Sequence, residues 1–356
     1  MTLETQDISK QVAGVTHIKP TSLVLETGYF NVLLGETGSG KTSLIKMMAG
    51  LDPIASGQIF MDGEDVTKLS TQKRKISLVH QFFVNYPHMT VFDNIASPLR
   101  VAGMAVSEIQ GRVEEAADIL QLRPMLNRRP HELSGGQQQR CALARAIAKE
   151  SRAVFLDEPL ANLDYKLREE LREQLPELFA GRGAVVVYAT SEPEEALLLG
   201  GATALMDDGN VVQFGRTAEL YRAPASLKAA QVFSDPPINI AKVRKEGGYI
   251  HMENAHWPAD GVPELQQDGE YMMAVRPHHV TPTRDRPNVV ELSGTVVVTE
   301  LSGSESSAHF SMKNADWVSL SHGVYPYKVG EAHSFFLDPE ACFYFSHDGQ
   351  LLSEGA

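Results

Sequence analysis

The sequence predicts an α/β domain over residues 1–235 and a smaller all-β domain over residues 236–356. In the first part, short β-branched runs alternate with helical segments, and a mostly helical stretch interrupts them at about residues 83–150. The sequence Ser-Asp-Pro-Pro at residues 234–237 then ends the last helical segment. Beyond it, short strands punctuated by Gly, Pro, Asn and Asp predict a small barrel.

The predicted elements follow from apolar runs and the residues that bound them. Strands are predicted at residues 29–34, 58–61, 76–79, 153–156, 184–188 and 203–206, and in the second domain at 271–275, 289–300, 307–312 and 333–337. Helices are predicted at residues 42–49, 91–100, 106–120 and 136–149. The alternation predicts a largely parallel sheet with helices on both faces, into which residues 83–150 insert a helical subdomain.

Composition excludes several classes of function. The net charge is −13 with no Lys/Arg block, so the chain lacks the electrostatic footprint of a nucleic-acid-binding protein. Its two cysteines, Cys141 and Cys342, lie in different predicted domains and indicate a reduced compartment. The first ten residues carry no apolar core of a signal peptide, and no apolar run approaches the ~20 residues of a membrane helix. Membrane function would therefore require other chains.

A glycine-rich loop lies between the strand at 29–34 and the helix at 42–49. Its sequence is Gly35-Glu36-Thr37-Gly38-Ser39-Gly40-Lys41-Thr42. This is a P-loop pattern, in which backbone N–H groups and the helix N-terminus bind phosphates. We expect Lys41 to reach the β- and γ-phosphates and the Thr42 hydroxyl to ligate Mg²⁺.

Two further motifs suit the same chemistry. The apolar run 153–156 ends in Asp157 and Glu158, which we expect to hold Mg²⁺ and to polarise the attacking water, respectively. Alone, such a pair often only caps the next helix. Ser134-Gly135-Gly136-Gln137 begins a helix with a capping residue and two glycines, which makes it a second phosphate-binding helix end or an ordinary N-cap.

In this order and spacing, the three motifs resemble those of an ABC ATPase over residues 1 to about 233. Gln81 matches the Q-loop of that family, and residues 161–164 resemble its D-loop. Residues 235–239 and 275–280 resemble the carbohydrate-uptake branch, such as the ATPase of the maltose importer. Within that branch, residues 81–91 resemble the ATPase subunits for glycerol or glycerol-3-phosphate uptake.

The resemblance implies a RecA-like P-loop NTPase core followed by an OB-type (TOBE) regulatory barrel, with ATP and Mg²⁺ as ligands. It implies that Gln81 and Asp157 join Thr42 at the metal and that Glu158 is the catalytic base. Because two ATPase chains face each other head to tail in the family, Ser134, Gly135, Gly136, Gln137 and Asp164 would serve the ATP of the partner chain. The other implied partners are two transmembrane permease subunits and, indirectly, an extracytoplasmic solute-binding protein, with the ATPase at the cytoplasmic face of the membrane.

The chain departs from the family pattern at two positions. Val12 stands where an aromatic residue usually stacks on adenine, a contact worth about 1–3 kcal/mol, so either affinity is weaker or Tyr29 or His17 covers the base. Ser191 stands where the family has a switch histidine facing the γ-phosphate. Ser191 either donates one hydrogen bond in its place or leaves the site degenerate.

The second departure favours a heterodimer with a different ATPase chain over a homodimer, which would carry the defect twice. Two other functions stay open: a soluble ABC ATPase acting on DNA or the ribosome, and a nucleotide-binding regulatory subunit with little hydrolysis. His278 and His279 are interpreted as a solvated turn, because no cluster with metal-ligand spacing surrounds them. Residues 168–177 are interpreted as a solvated helix face.

Overall fold

The computed structural model describes residues 1–82, 84–161 and 163–355, and for residue 167 the backbone alone. Close contacts divide the chain into two compact units, Met1–Thr217 and Ala218–Ala356. Residues 218–235, which the sequence assigns to the first domain, belong by their contacts to the second unit. The boundary near residue 235 stays a prediction about which part folds independently.

In the described part of the first unit, ten strands form two sheets. They are β1 (Thr2–Val12), β2 (Val15–Glu26), β3 (Phe30–Leu34), β4 (Ser56–Met61), β5 (Glu64–Asp65), β6 (Ile76–Val79), β7 (Ala153–Asp157), β8 (Val185–Thr190), β9 (Ala202–Asp207) and β10 (Asn210–Arg216). The larger sheet has the order β10-β9-β3-β8-β7-β6, with only β10 antiparallel. The α/β prediction is confirmed, because the parallel strands of this sheet alternate with helices along the chain.

A second, antiparallel sheet of order β2-β1-β4-β5 was not predicted. The run at 58–61 belongs to it as β4 and not to the parallel series, so that part of the prediction is wrong. The turn between β1 and β2 holds Ala13 and Gly14 at positive φ, the conformation that tight hairpins require. Long β1 and β2 strands were missed because their polar and apolar residues alternate only in part, through several bulges.

The described part of the first unit also contains seven α-helices, and an eighth helix, α8, begins at its last residue. They are α1 (Lys41–Met48), α2 (Thr71–Arg74), α3 (Val91–Val101), α4 (Val106–Ile119), α5 (Gly135–Ala148), α6 (Tyr165–Phe179) and α7 (Pro193–Leu199). Helices α3 and α4 pack on α5 between β6 and β7, in the stretch predicted to be mostly helical. In the described part of the chain, no helix is long and apolar enough to cross a membrane.

Helix α1, which follows the glycine-rich loop, lies in the centre of the core. Leu44, Ile45 and Met48 are fully buried between residues of both sheets. At its end, the buried guanidinium of Arg74 donates to the carbonyl oxygens of Met47 (3.2 Å) and Met48 (2.7 Å), which have no partner within the helix. The packing and this cap fix the helix whose first residue is Lys41.

Helix α6 corrects the prediction of a solvated face at residues 168–177. Leu171 and Leu175 are buried, and Arg172 is only 8% exposed because the helix packs against α5 and α7. Glu173 and Glu177 on the opposite side are exposed. The charge pattern alone did not distinguish these two faces.

The second unit contains two short helices and eleven strands in its described part. They are α8 (Thr217–Arg222), α9 (Leu227–Val232), β11 (Asn239–Glu246), β12 (Tyr249–Met252), β13 (Ala255–Pro258), β14 (Gly269–Val275), β15 (Val280–Thr281), β16 (Val290–Leu301), β17 (Glu305–Ser311), β18 (Asp316–His322), β19 (Ala332–Leu337), β20 (Phe343–Phe345) and β21 (Leu351–Ser353). Five strands form an antiparallel sheet of order β15-β19-β16-β17-β18. Ser319 Oγ of β18 donates to the Val280 carbonyl oxygen of β15 at 2.5 Å, which nearly closes a barrel and confirms the OB-type prediction.

The other six strands form a second sheet, of order β13-β12-β11-β14-β20-β21, which was not predicted. The guanidinium of Arg276 lies 3.6 Å from the ring centroid of Tyr221 and 4.8 Å from that of Phe343, joining α8 to this sheet. His278 and His279 follow in a short 3₁₀ helix, and burial and its neighbours lower the pKa of His278 to about 4.

Candidate active site

Residues 35–40 form the loop between β3 and α1, as the sequence predicts. Gly38 and Gly40 have φ of 90° and 104°, in the left-handed region that favours glycine. A Cβ on Gly35 would lie 2.3 Å from the carbonyl oxygen of Met206, so no larger residue fits. Three glycines of the motif are thus required by backbone conformation or by close packing.

The ammonium group of Lys41 is the positive charge of the site. The Lys41 side chain is 4% exposed, and Nζ donates to the carbonyl oxygens of Gly35 (2.7 Å) and Glu36 (3.0 Å). Nζ also lies 3.6 Å from Glu158 Oε1. Burial lowers the pKa of Lys41, and the carboxylates of Glu158 and Asp157 oppose that effect. The Lys41 ammonium is therefore held at the loop by oxygen atoms of the protein, and an anionic ligand can replace them.

Thr42 and Asp157 provide oxygen ligands beside Lys41. Thr42 Oγ1 donates to Asp157 Oδ1 at 2.9 Å, and Asp157 is 2% exposed at the end of β7. A hydroxyl and a carboxylate are ligands that Mg²⁺ prefers in proteins. In the described part of the chain, no group of three or more His, Cys, Asp and Glu side chains could hold a metal. The pair fits an ion that takes its remaining ligands from phosphates and water.

Gln81 and Glu158 meet at the same edge of the sheet. Gln81 Nε2 donates to Glu158 Oε2 at 2.8 Å. Glu158 has φ of 46°, and its N–H donates to the Ala189 carbonyl oxygen at 3.0 Å. This left-handed turn is uncommon for a glutamate and directs the chain away from β7 immediately after Asp157. The two residues predicted to handle water and metal are therefore in direct contact.

Ser191 follows β8 in a short segment, Thr190 to Glu192, called the switch turn below. The Thr190 carbonyl oxygen accepts from the Gly35 N–H at 3.4 Å, so the turn begins beside the first residue of the P-loop. Ser191 itself is exposed. Because β3, β8 and β7 are neighbouring parallel strands, Gly35, Ser191 and Glu158 follow adjacent carboxyl ends, where doubly wound sheets bind ligands.

A buried carboxyl group supports the switch turn and was missed by sequence reasoning. Glu195 is 3% exposed, and its Oε2 accepts from Tyr188 OH (2.9 Å) and Thr190 Oγ1 (2.6 Å). Burial raises the pKa of Glu195, while these two hydrogen bonds oppose the increase. In sequence, Glu195 resembles any acid in the first turn of a helix, so no pattern distinguished it from exposed Glu194.

The second glycine motif stands apart from the P-loop. Ser134 and Gln137 form a capping box: Ser134 Oγ accepts from the Gln137 N–H at 3.3 Å, and Gln137 Oε1 accepts from the Ser134 N–H at 3.0 Å. Ser134 and Gly135 are exposed. Among the described residues, no hydrogen bond or ion pair joins residues 134–137 to residues 35–42. Asp164 is exposed just before α6, and residue 162 of the predicted D-loop lies outside the described residues.

Comparison with known proteins identifies the family. The model of the ABC transporter family matches residues 18–161. The sn-glycerol-3-phosphate import ATP-binding protein UgpC of Yersinia pestis bv. Antiqua (strain Antiqua) is 36% identical over 358 residues, covering 99% of each chain. The chain belongs to the ABC transporter ATP-binding proteins. UgpC 3 of Rhizobium etli is 37% identical over 303 residues, which cover 85% of this chain and 84% of that protein.

Solved structures agree. The dimeric ATP-binding cassette MJ0796, bound to ADP and Pi, matches with a TM-score of 0.55 and 27% identity, over 60% of this chain and 98% of that one. The cbiO1 protein of Clostridium perfringens, part of the complex cbiONQ, shares the fold with a TM-score of 0.57 and 23% identity, over 62% of this chain and 90% of that one. This chain is therefore an ATPase of the ABC type and binds ATP.

Val12, predicted to lie against adenine, is at the tip of the β1–β2 hairpin and is 46% exposed. Two residues earlier, Lys10 Nζ pairs with Asp52 at 2.5 Å and lies 3.4 Å from Ser43 Oγ of α1. The hairpin is therefore connected to the helix that begins at the P-loop. An aliphatic side chain at its tip can contact a base but cannot stack on it as an aromatic ring does.

Of the two aromatic alternatives, His17 lies on the P-loop side of the sheet and Tyr29 does not. Tyr29 precedes β3, at the end of the strand opposite the P-loop, and its hydroxyl donates to Glu26 Oε2 at 2.8 Å. A Cβ on Gly209 would lie 2.1 Å from the His17 carbonyl oxygen, and the Gly209 N–H donates to the Ser39 carbonyl oxygen at 3.0 Å. The backbone of His17 therefore lies beside Gly209, which contacts the P-loop at Ser39.

Residues 82–88, called the groove segment below, follow the Q-loop glutamine. Phe82 is 72% exposed and Tyr86 46%, while residue 83 lies outside the described residues. The Arg145 guanidinium donates to the Val84 carbonyl oxygen at 2.7 Å and lies 5.1 Å from the Tyr86 ring centroid. A cavity of about 840 Å³ opens here between the sheet and the inserted helices, lined among others by Tyr86, Met89, Val101, Met104, Arg145 and Lys149.

The buried Glu195 gives a pH-dependent prediction. A carboxyl pKa raised above its ordinary value of 4.5 means that the fold disfavours the charged form, so this group's contribution to stability is lost as pH rises from 4.5 through the raised pKa. In Glu195→Gln this loss is absent. We expect the free energy of unfolding of the wild type, relative to the variant, to fall over that range in urea titrations.

Glu194→Gln is the matched control, because Glu194 is 74% exposed on the same helical turn. Its urea titrations should follow those of the wild type at each pH. Parallel pH profiles for the wild type and Glu195→Gln would contradict the prediction.

Proposed function

We propose that this chain is the ATP-hydrolysing subunit of an importer for a carbohydrate or polyol, with glycerol or glycerol-3-phosphate as the solute. Relatives named for sn-glycerol-3-phosphate import cover 99% of the chain, and so both of its units. In this role the chain lies at the cytoplasmic face of the membrane on two permease subunits, and an extracytoplasmic binding protein delivers the solute. The second unit serves regulation or dimer contacts.

The solute is tested by transport. Cells that lack this chain should lose uptake of labelled glycerol or glycerol-3-phosphate, and the wild-type gene should restore it. Unchanged uptake of both compounds would contradict the solute. Co-purification with nucleic acid or ribosomes in place of membrane proteins would favour the soluble ABC ATPase.

One observation carries the ATPase mechanism: Lys41, Thr42, Gln81, Asp157 and Glu158 are joined by contacts of 2.8–3.6 Å. Phosphate oxygens carry full negative charge and are better acceptors for an ammonium than the neutral carbonyl oxygens that now hold it. Lys41 therefore binds the β- and γ-phosphates, while the N–H groups of residues 35–40 and the N-terminus of α1 complete the cradle.

Thr42, Asp157 and Gln81 would hold Mg²⁺, and the ion would neutralise charge on the phosphates. Glu158 accepts the proton of the attacking water, and its hydrogen bond with Gln81 orients the carboxylate toward the phosphates. The Ser191 hydroxyl supplies at most one donor at the γ-phosphate.

Replacement of Lys41 tests this site. In Lys41→Ala the charged contact to the phosphates is lost, and we expect the affinity for Mg-ATP to fall by about tenfold to a hundredfold in a titration. Lys46→Ala, on the same helix but outside the loop, is the control and should bind like the wild type. Unchanged affinity in Lys41→Ala would show that the phosphates bind elsewhere.

The exposed motif at 134–137 supports a two-chain site. A capping box with two glycines leaves N–H groups at an exposed helix end, and it makes no contact with the chain's own P-loop among the described residues. We infer that residues 134–137 and Asp164 complete the ATP site of a second ATPase chain, which completes this one in return. The dimeric relative MJ0796 is consistent with such pairing.

The groove segment is proposed to receive a cytoplasmic helix of a permease subunit. Tyr86 of the segment borders the cavity of about 840 Å³. Phe82 is 72% exposed, and exposed apolar surface of this kind marks a partner site. We expect cysteines placed at positions 82–88 to cross-link to the permease subunits in the assembled transporter. A cysteine at exposed Tyr165 serves as the control. Failure at every position of the segment would rule out this docking site.

The Ser191 substitution supports unequal ATP sites in a heterodimer. Loss of one preorganised donor at a developing charge costs about 10²–10³ in rate, and a homodimer would carry that loss twice. Residues 134–137 are intact, so this chain can complete the site of a partner that supplies its own P-loop and histidine.

Two variants distinguish the sites. Ser134→Arg blocks the partner's site, and Glu158→Gln blocks the chain's own site. We expect Ser134→Arg to reduce ATP turnover of the assembled transporter by at least about tenfold more than Glu158→Gln, because the partner's site carries most of the turnover. Equal losses, or rapid hydrolysis by this chain alone, would contradict the asymmetry.

A further inference from the structure

A cavity of about 460 Å³ lies in the second unit, beside the point where the barrel closes. The closing hydrogen bond joins Ser319 of β18 to Val280 of β15. Among the described strands, β15 and β18 are the two ends of the sheet, so the seam between them is filled by side chains. Thr281 of β15 and residues 320–322 of β18 line the cavity. Its volume is in the range of small-molecule sites, about 300–1,000 Å³.

Most residues around this cavity carry hydrogen-bonding groups. Glu305 of β17 lies opposite His322 of β18, with Glu305 Oε1 3.4 Å from His322 Nδ1. Asp285, in the loop after β15, accepts at Oδ1 from Thr283 Oγ1 at 2.7 Å. Burial, and then the charges of its neighbours, lower the pKa of His278 to about 4, so its ring is neutral near pH 7 and has one donor and one acceptor. Acceptors and donors thus surround the same space.

Ser321 adds a hydroxyl group that the protein does not pair. Its Oγ is buried and has no hydrogen-bond partner among the described residues. Side chains alternate along a strand, so Ser321 lies on the same face of β18 as Ser319, which closes the seam. Buried polar groups in folded proteins nearly always have a partner, and a ligand hydroxyl in the cavity would supply one.

The charges around the cavity disfavour an anionic ligand. Its lining includes two carboxylates, and no Lys or Arg is among the lining residues that the structure describes. The two arginines nearest in sequence have other contacts: Arg284 lies 5.7 Å from the ring centroid of Phe336, and Arg286 pairs with Asp338. A phosphate group in this cavity would therefore meet like charges without a compensating cation.

A metal ion and a simple ammonium also fit the lining poorly. In the described part of the chain, no group of three or more His, Cys, Asp and Glu side chains could hold a metal, so the carboxylates and imidazoles stand around a space and do not converge on a point. An ammonium group only donates, whereas His278 and Ser321 also offer donors that need an acceptor. Hydroxyl groups both donate and accept, and so match the whole set.

We propose that this cavity binds a neutral polyhydroxy compound, namely a six-carbon sugar or polyol. Ligand hydroxyls donate to the carboxylates of Asp285 and Glu305 and accept from Ser321. The C–H groups of the ligand pack against Leu320 and Tyr325, which also line the cavity. The inference goes beyond the proposed function, because it concerns the second unit and holds whichever solute the transporter carries.

The test measures binding of four probes to the full-length chain by isothermal titration calorimetry and saturation-transfer NMR. Glucose and sorbitol are the neutral probes, glucose-6-phosphate differs from glucose only by its phosphate, and putrescine is a diamine without hydroxyl groups. Every sample contains excess Mg-ADP, so that the phosphate of a probe does not bind at the P-loop. We expect glucose or sorbitol to bind with a Kd of about 1 mM or below, and the two charged probes at least about tenfold more weakly.

Variants of the lining residues locate the site. Glu305→Ala and Ser321→Ala each remove one hydrogen-bonding partner, and we expect each to weaken binding of the neutral probe by about threefold to tenfold. Leu320→Trp fills part of the cavity and should abolish binding. Glu264→Ala is the matched control, because Glu264 is an exposed glutamate of the same unit outside the cavity, and this variant should bind like the wild type. Thermal unfolding followed by circular dichroism establishes that each variant is folded.

Absence of binding by both neutral probes up to about 10 mM, ten times the expected Kd, would overturn the inference, as would tighter binding of glucose-6-phosphate or putrescine. Wild-type affinity in all three lining variants would place the sugar elsewhere and would overturn it as well. If Leu320→Trp does not fold, Glu305→Ala and Ser321→Ala decide by the same criterion. The proposed function fails separately, through unchanged Mg-ATP affinity in Lys41→Ala, which does not bear on this cavity.

Discussion

The parallel alignment of β3, β8 and β7 is the constraint on which the rest of the site depends. Its register pairs Leu34 with Thr190 and Asp157 with Ala189, so three loops leave the sheet at one edge. The P-loop, the switch turn and Glu158 each begin there. Contacts between residues more than a hundred positions apart, such as Thr42 with Asp157, follow from this register, and so does the contact of Gly35 with Thr190. Packing of α1 in the core keeps Lys41 at the same edge.

An acidic protein that binds a polyanion needs local positive potential, and this site provides it without a basic surface. The net charge of the chain is −13, yet Lys41 is buried beside converging N–H groups at the start of α1. The carboxylates of Asp157 and Glu158 lie within reach of that lysine and limit the effect of burial on its pKa. The same carboxylates suit a divalent cation. A metal ion and phosphates bound together would compensate each other's charge, whereas burial of either charge alone would cost free energy.

The two departures from the family pattern are at positions where the family contacts the nucleotide. The P-loop and the acidic end of β7 keep the family pattern. Val12 lies at the tip of the β1–β2 hairpin, and Ser191 follows β8. The P-loop, Gln81, Asp157 and Glu158 all take positions compatible with hydrolysis.

The sequence by itself determined the P-loop, the acidic end of β7, the inserted helices and the all-β second part. These features are local: glycines set backbone conformation, apolar runs set strands, and each motif is a few consecutive residues. Only the tertiary structure decided that β4 joins a separate sheet, that residues 218–235 pack with the second unit, and that Arg172 and Glu195 are buried. An arginine or glutamate has the same appearance in sequence whether it faces water or a neighbouring helix, because its burial depends on contacts between distant segments.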